Sequence, residues 1–362
     1  VRFKRLWLAD FRNYVLLDLE FPPGTSLFVG SNGEGKTNLL EAVFYLATMT
    51  SFRVGNSEAL VRSADGTAEA IVRGEVVTGQ REILLEAAVR SGGRSQFQMN
   101  RQRVRRRDLL GVVPISVFMP DDLVLLKGGP GDRRRFLDDA LSQIDPRLDV
   151  VRSELESVLR QRNALLRQIG GRLNGDAAST LDVWDQKFAE AGDALTAARR
   201  ELVTRLQPRA LQAYWDIAAR EVHLGLDYAS SWAPEGGLGE ALARARREDL
   251  RRAATTVGPH RDDLVVWIEG RPARTHASQG EQRSLALSLR LAVHREVAAA
   301  AGQTPLLLLD DVFSELDPDR SRGVLHALQS EQTLLTTAGA LPPEIDYNAR
   351  FRVAGGRIVR EV

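Results

Sequence analysis

The sequence predicts an α/β fold assembled from both ends of the chain, with a mainly helical second domain inserted between them. Three observations carry this. "FVGSNGEGKTN", Phe28 to Asn38, is a glycine-rich loop of the form G-x-x-x-x-G-K-[ST] set between an apolar strand and a helix. "LLLLDD", Leu306 to Asp311, is a short, continuously apolar run, as expected of a strand covered on both faces of a parallel sheet. Between them, from about Asp121, the hydrophobic period changes from strand-like to helical.

The elements follow in order. Residues 3–9, 15–21 and 26–29 read as strands, separated by turn residues such as Asn13 and Pro22-Pro23-Gly24. A helix covers 36–47. Residues 70–77 and 82–90 alternate like a hairpin, and 112–118 is a further short apolar strand. Over 149–169, Val151, Leu155, Val158, Leu165 and Ile169 share one helical stripe. "GGRLNGD" (170–176) breaks it, and a second helical pattern runs over 180–214. The two make a helical hairpin, read either as a layer on a core or as a short projecting arm. A strand at 263–269 and a helix over 281–299 precede the apolar run. Strands at 333–337, 351–353 and 357–359 close the chain. The expected division is a head made of 1–119 and 256–362, and an insert of 120–255 that carries the hairpin.

Composition narrows the classes. The chain has 362 residues, more than one compact domain of common size, and 43% are hydrophobic, which argues against disorder. A net charge of +1 draws nothing to nucleic acid globally, so any such contact needs a local patch. The absence of cysteine excludes disulfides and thiolate metal sites. No apolar run approaches the length of a membrane span, and residues 1–7 lack the apolar core of a secretion signal. The expectation is a cytoplasmic protein with no membrane partner.

Three motifs carry chemistry. In the first, Gly30, Gly33 and Gly35 let the backbone turn and aim its N–H groups inward, with Ser31, Asn32 and Glu34 completing the loop. The helix that follows presents its positive end to phosphates. Lys36 reaches the outer phosphates of a nucleoside triphosphate and Thr37 offers a hydroxyl to Mg²⁺, with Asn38 next in line. The alternative is a plain glycine turn. In the second, Asp310 and Asp311 fall at the carboxyl edge of the sheet, where ligands bind in open α/β folds. Asp310 suits Mg²⁺, directly or through water, and Asp311 suits the attacking water. The alternative is a pair of acids capping a strand end and the next helix. The third is "SQGEQ", with Ser278, Gln279, Gly280 and Glu281. S-x-x-E is a capping box, yet Ser and Gly at a helix start also make an anion site. Because the phosphate loop already has its own helix N-terminus, a second one suits a nucleotide held by another copy. Both readings stay open.

Together the three motifs resemble ABC-type ATPases. The long separation of loop from Ser-x-Gly signature, and Asn38 after Thr37, are similar to the SMC and RecF group, where an insertion splits the head. "PDDLVLLKGGPGDRRRFLD" from Pro120, "QRN" at Gln161, "GPHRDDL" at Gly258, "DDVFSELD" at Asp310 and "LADFRNY" at Leu8 resemble the bacterial RecF family in particular. That resemblance implies an ABC/SMC-type head that binds ATP and hydrolyses it weakly, stimulated by DNA, in recombinational DNA repair and replication. It implies an ATP-dependent homodimer on gapped or single-strand–double-strand junction DNA, and work with RecR and RecO to load RecA. By the same resemblance Lys36 and Thr37 are Walker A, Asp310 is Walker B, Ser278 starts the signature and Asp317 lies in the D-loop. Two departures imply slow hydrolysis: Asp311 stands where transporter ATPases usually have Glu, and no His lies near Thr336. The alternatives are an energising subunit of a membrane transporter, which the long insertion and missing His oppose, and a DNA clamp with negligible hydrolysis.

Basic residues complete the reading. "RQRVRRR" holds Arg101, Arg103, Arg105, Arg106 and Arg107, and a second run spans Arg133 to Arg135. Arginine clusters bind nucleic-acid phosphates, but they also form solvated faces, here offset by Asp108, Asp132 and Asp138. For the first run, DNA contact and a solvated face both stay open. In the second, which lies inside the RecF-like block, a role in the fold competes. His260 is read as a packing or hydrogen-bonding residue, with catalysis as the alternative.

Overall fold

A computed structural model describes all residues except 54–56, 64–67, 171–173, 231, 233–235, 329, 340, 344 and 362. Along the chain come β1 (Arg2–Phe11), β2 (Tyr14–Glu20), β3 (Gly24–Val29), α1 (Lys36–Thr48), β4 (Glu69–Thr78), β5 (Arg81–Arg90), β6 (Gln96–Met99), β7 (Gln102–Val104) and β8 (Ile115–Phe118). Then follow α2 (Val124–Lys127), α3 (Pro130–Ile144), α4 (Pro146–Ile169), α5 (Gly175–Ala218), β9 (Leu224–Ala229), α6 (Gly237–Arg252), β10 (Asp263–Ile268), β11 (Arg271–Pro272) and α7 (Ala273–His276). The last are α8 (Gln279–Ala301), β12 (Leu306–Asp310), α9 (Pro318–Ala327), β13 (Gln332–Thr337), β14 (Ala349–Ala354) and β15 (Arg357–Glu361).

The chain divides into two compact units. The first comprises Val1–Asp122, Arg209–Glu221 and Arg283–Val362, and the second Leu123–Pro208 and Val222–Gln282. This differs from the expected insert of 120–255. The second unit extends to Gln282 because β9, β10 and β11 pair into a sheet of their own, and the last turns of α5 belong with the first unit. The division inside α5 falls at Pro208, a residue that removes one backbone donor from the helix.

Among the described residues the first unit holds two six-stranded sheets. One is antiparallel, in the order β2-β1-β4-β5-β6-β7. The other runs β15-β14-β3-β13-β12-β8 and is parallel from β14 to β8, with β15 antiparallel at its edge. Helix α1 is buried almost all round, which places it within a core rather than upon one. Its Leu40, Val43 and Leu46 cluster with Phe3 and Leu6 of β1, Val72 of β4, and Leu306 and Leu308 of β12. Gly74 of β4 marks the crossing: a Cβ there would lie 2.8 Å from Leu46 and 3.0 Å from Phe3. The other face of the parallel sheet buries Leu307 and Leu309 with Leu335, against Ile217 of α5, Leu287 and Leu291 of α8, and Val324 of α9. Alternate leucines of "LLLL" therefore serve opposite cores, and this is why the run is apolar throughout.

The second unit is built of helices on the small antiparallel sheet β11-β10-β9. The hairpin of α4 and α5 is joined by Arg162. This fully buried side chain donates to Asp185 at 2.7 Å and to Thr255 at 2.8 Å, and pairs with the fully buried Asp249 of α6. Arg246 of α6 reaches Asp185 from the other side at 2.9 Å. These contacts tie α6 to both helices of the hairpin. The expected break is met at Gly170, a left-handed cap, while 171–173 lie outside the described residues. Of the second arginine run, Arg133 is buried in a bidentate pair with Asp263 at 2.7 and 2.8 Å, and Arg134 donates to the Asp262 carbonyl at 2.7 Å. These two serve the fold, while Arg135 is exposed.

Candidate nucleotide-binding site

The loop between β3 and α1 has the conformation its glycines permit. Gly33 (φ 86°) and Gly35 (φ 112°) are left-handed, and a Cβ at Gly30 would lie 2.3 Å from the Val353 carbonyl of β14. The Lys36 ammonium folds back over the loop and donates to the carbonyls of Gly30 at 2.7 Å and Ser31 at 2.9 Å. Burial lowers its pKa, opposed by the charges of Asp311, Asp310 and Glu34. Neighbouring turns brace the loop. Asn13, between β1 and β2, donates to the Glu34 carbonyl at 3.0 Å and accepts from Asn38 at 2.8 Å. The buried Tyr14 hydroxyl donates to the Gly35 carbonyl at 2.9 Å. The Glu34 carboxylate accepts from the Gly355 N–H in the turn between β14 and β15. Behind them, Arg12 grips the fully buried Glu41 of α1 at 2.8 Å through two bonds.

The acids meet the loop at Thr37. β12 lies parallel to β13, which lies parallel to β3, so the ends of all three strands share one edge. There the Thr37 hydroxyl donates to Asp310 Oδ1 at 3.0 Å, and Thr336 Oγ1 donates to the same oxygen at 2.7 Å. Burial raises the Asp310 pKa, the Thr336 and Thr37 hydrogen bonds lower it, and Asp311 raises it. Asp311 is left-handed (φ 50°), a conformation that Asp tolerates better than most residues because its short side chain can bond locally. Its N–H reaches the Thr336 carbonyl at 3.1 Å, and its carboxylate accepts from the Ala338 N–H at 3.4 Å. A hydroxyl and a carboxylate, both hard oxygen donors 3.0 Å apart, fit Mg²⁺. Among the described residues no group of three or more His, Asp or Glu could hold a metal by itself, so an ion here depends on nucleotide oxygens for the rest of its shell.

Ser278 and Glu281 form a reciprocal capping box at the start of α8. The Ser278 N–H and hydroxyl each donate to Glu281 Oε2 at 2.9 Å, and the Glu281 N–H donates to Ser278 Oγ at 3.3 Å. Ser278 and Gln279 are exposed, Gly280 and Glu281 half-buried. Asp317 caps α9 by accepting from the Arg320 N–H at 2.9 Å.

The sequence matches a family model described as the RecF/RecN/SMC N terminal domain over residues 2–337. A relative from Acidothermus cellulolyticus, named DNA replication and repair protein RecF, is 41% identical over 96% of this chain and 96% of its own. One of the same name from Streptomyces avermitilis is 42% identical over 98% of each. The chain belongs to the RecF family. Its fold agrees: a solved structure of the recombination mediator protein RecF with ATP, in the RecFOR pathway, superposes with a TM-score of 0.91 at 29% identity, covering 99% of this chain and 97% of that one. An SMC head with 15% identity and a TM-score of 0.56 shares the fold alone. The chain is a DNA replication and repair protein with a RecF-type ATPase head of the ABC/SMC class. Repair proteins matched along the full length displace the transporter alternative.

In this RecF-family chain the first arginine run begins at a sheet edge and continues past it. Asn100 and Arg101 form the two-residue turn from β6 to β7, both with positive φ. Arg101, Arg103, Arg105 and Arg107 are exposed, and Arg106 is half-buried. Charge on an edge strand blocks pairing with further chains, so Arg103 on β7 has a use without DNA. Asp108 accepts from the Arg105 N–H at 2.9 Å. His260 packs: its ring meets Phe188 edge-on at 5.8 Å and its Nε2 lies 3.2 Å from the Thr255 carbonyl. Sequence reasoning missed Asn13 and Tyr14 as braces of the loop, Thr336 as a partner of Asp310, and Arg12 as the partner of Glu41. Asn13 was visible as a turn residue, but no local pattern ties a turn to a loop twenty residues on.

Proposed function

We propose that this protein binds ATP with Mg²⁺ at the loop from Gly30 to Asn38 and dimerises through the nucleotide on gapped or junction DNA. There it assists RecR and RecO in loading RecA, in the cytoplasm. Slow, DNA-stimulated hydrolysis then releases the dimer. The observation that carries the reading is the 3.0 Å bond from Thr37 to Asp310, which joins the phosphate loop to the acid strand. A solved RecF structure with ATP supports the nucleotide-binding part of it. Backbone N–H groups of the loop and the start of α1 bind the phosphates, and Lys36 leaves its own loop carbonyls to neutralise the outer ones. Thr37 and Asp310 hold Mg²⁺, which when bound neutralises phosphate oxygens. Asp311, held by Ala338, orients the attacking water.

Each nucleotide is shared: Ser278, Gln279, Gly280 and Glu281 of a second copy face its γ-phosphate, with the second copy's Asp317 beside them. Ser278 supports this because it is exposed at the positive end of a long helix. Light scattering tests the reading. ATP–Mg²⁺ dimerises the protein and ADP does not. Asp311→Asn accumulates the ATP dimer, and Ser278→Arg stays monomeric while binding ATP normally. A Ser278→Arg protein that still dimerises with ATP reduces Ser278 to a helix cap and removes the shared site.

A further inference from the structure

We propose that Thr336 is a positioning residue for Asp310, and that its hydroxyl sets how tightly the site takes Mg²⁺ with ATP. This rests on the ATP–Mg²⁺ reading above. Thr336 is directly opposite Asp310 in the parallel pair of β13 and β12. It is fully buried, and the residues before it, Leu334 and Leu335, are buried leucines. A hydroxyl in such a place needs partners, and a branched apolar side chain would pack there without that need. Thr336 Oγ1 donates to Asp310 Oδ1 at 2.7 Å and lies 3.2 Å from the Asp311 N–H, which donates to it. Donor and acceptor roles are thereby both assigned, and the hydroxyl cannot rotate without losing one.

The second donor to Asp310, Thr37, is itself a candidate ligand for the metal. Thr336 is the donor that stays outside the metal's shell. It holds the carboxylate in one rotamer as the ion arrives. The backbone contact to Asp311 ties the second acid to the same residue, since the Asp311 N–H also reaches the Thr336 carbonyl at 3.1 Å.

The test is a Mg²⁺ titration of the full chain with a fluorescent ATP analogue, read as binding, with the same analogue in EDTA as reference. Thr336→Val raises the Mg²⁺ midpoint about tenfold, the lower end of what a lost hydrogen bond to a ligating carboxylate does, and leaves binding in EDTA unchanged. Thr336→Ser keeps the hydroxyl and stays within about twofold of wild type. Where Val disturbs the strand, Thr336→Ala against Thr336→Ser isolates the hydroxyl, and Ala shows the higher midpoint. Equal midpoints for Ala, Ser and wild type overturn the role of Thr336 alone. A wild type whose nucleotide binding ignores Mg²⁺ overturns the ATP–Mg²⁺ reading beneath it.

Discussion

Lys36 carries its charge in a buried place, held by two carbonyls of its own loop. Those carbonyls give it a place to wait, and phosphate oxygens compete for it as stronger, charged acceptors. Lys36→Met therefore keeps the fold and loses ATP-dependent DNA binding, checked by circular dichroism beside a filter-binding assay. Normal ATP stimulation in a folded Lys36→Met protein removes the nucleotide site. His260 poses a different question. Burial lowers its pKa to about 4, against the hydrogen bond to the Thr255 carbonyl, while Arg261 and Arg134 lower it further and Asp249 opposes them. A base depressed in the folded state binds its proton more readily when unfolded, so stability falls as pH drops from about 6.5 toward 4. His260→Gln should flatten the fall in melting temperature over that window. An identical pH profile for the variant means His260 does not titrate this way.

Elements decide what the charged runs do. β7 is the edge of the antiparallel sheet, and its exposed Arg103 protects that edge whether or not it meets DNA. The salt dependence of DNA binding separates the two uses. With Arg101, Arg103 and Arg105 changed to Gln, the log–log slope falls by up to about 2–3 if each meets a phosphate. An unchanged slope and affinity leave the run as a solvated face only. At the start of α8, Ser278→Ala removes the capping box and costs about 1 kcal/mol without nucleotide, measured by urea unfolding. A variant as stable as wild type would mean that solvent satisfies the helix start equally well.

For the whole molecule, the first unit gathers the loop, both acids and their braces from segments far apart in the chain. The β1–β2 turn, the β14–β15 turn and, through the Thr337 carbonyl and the Gly30 N–H, β13 all converge on residues 30–38. A ligand that binds only this assembled state stabilises it by mass action. ATP–Mg²⁺ at about a hundred times its Kd adds about 2.7 kcal/mol, seen as a rise in melting temperature that Lys36→Met lacks. A nucleotide that leaves the wild-type melting curve unmoved would show that the unit does not hold it.

Local chemistry made part of this legible. Glycines at fixed spacing before a Lys-Thr pair, and four leucines ending in two acids, announce a loop and a doubly covered strand, because their physical demands lie within a dozen residues. The α/β class, the strands β1 to β5 and the helices α1, α4, α5 and α8 followed from hydrophobic periods in the same way, whereas β6, β7, β9 and α6 did not. The tertiary structure alone decided the rest. It put Asn13 and Gly355 on the Glu34 segment, set Thr336 against both acids, and turned Arg133 inward to Asp263. It also carried the second unit through to Gln282, since the pairing of β9 with β10 is long-range. A turn, a threonine or an arginine looks alike in sequence whether it faces water or a partner hundreds of residues away. Only the packing of distant strands fixes that partner.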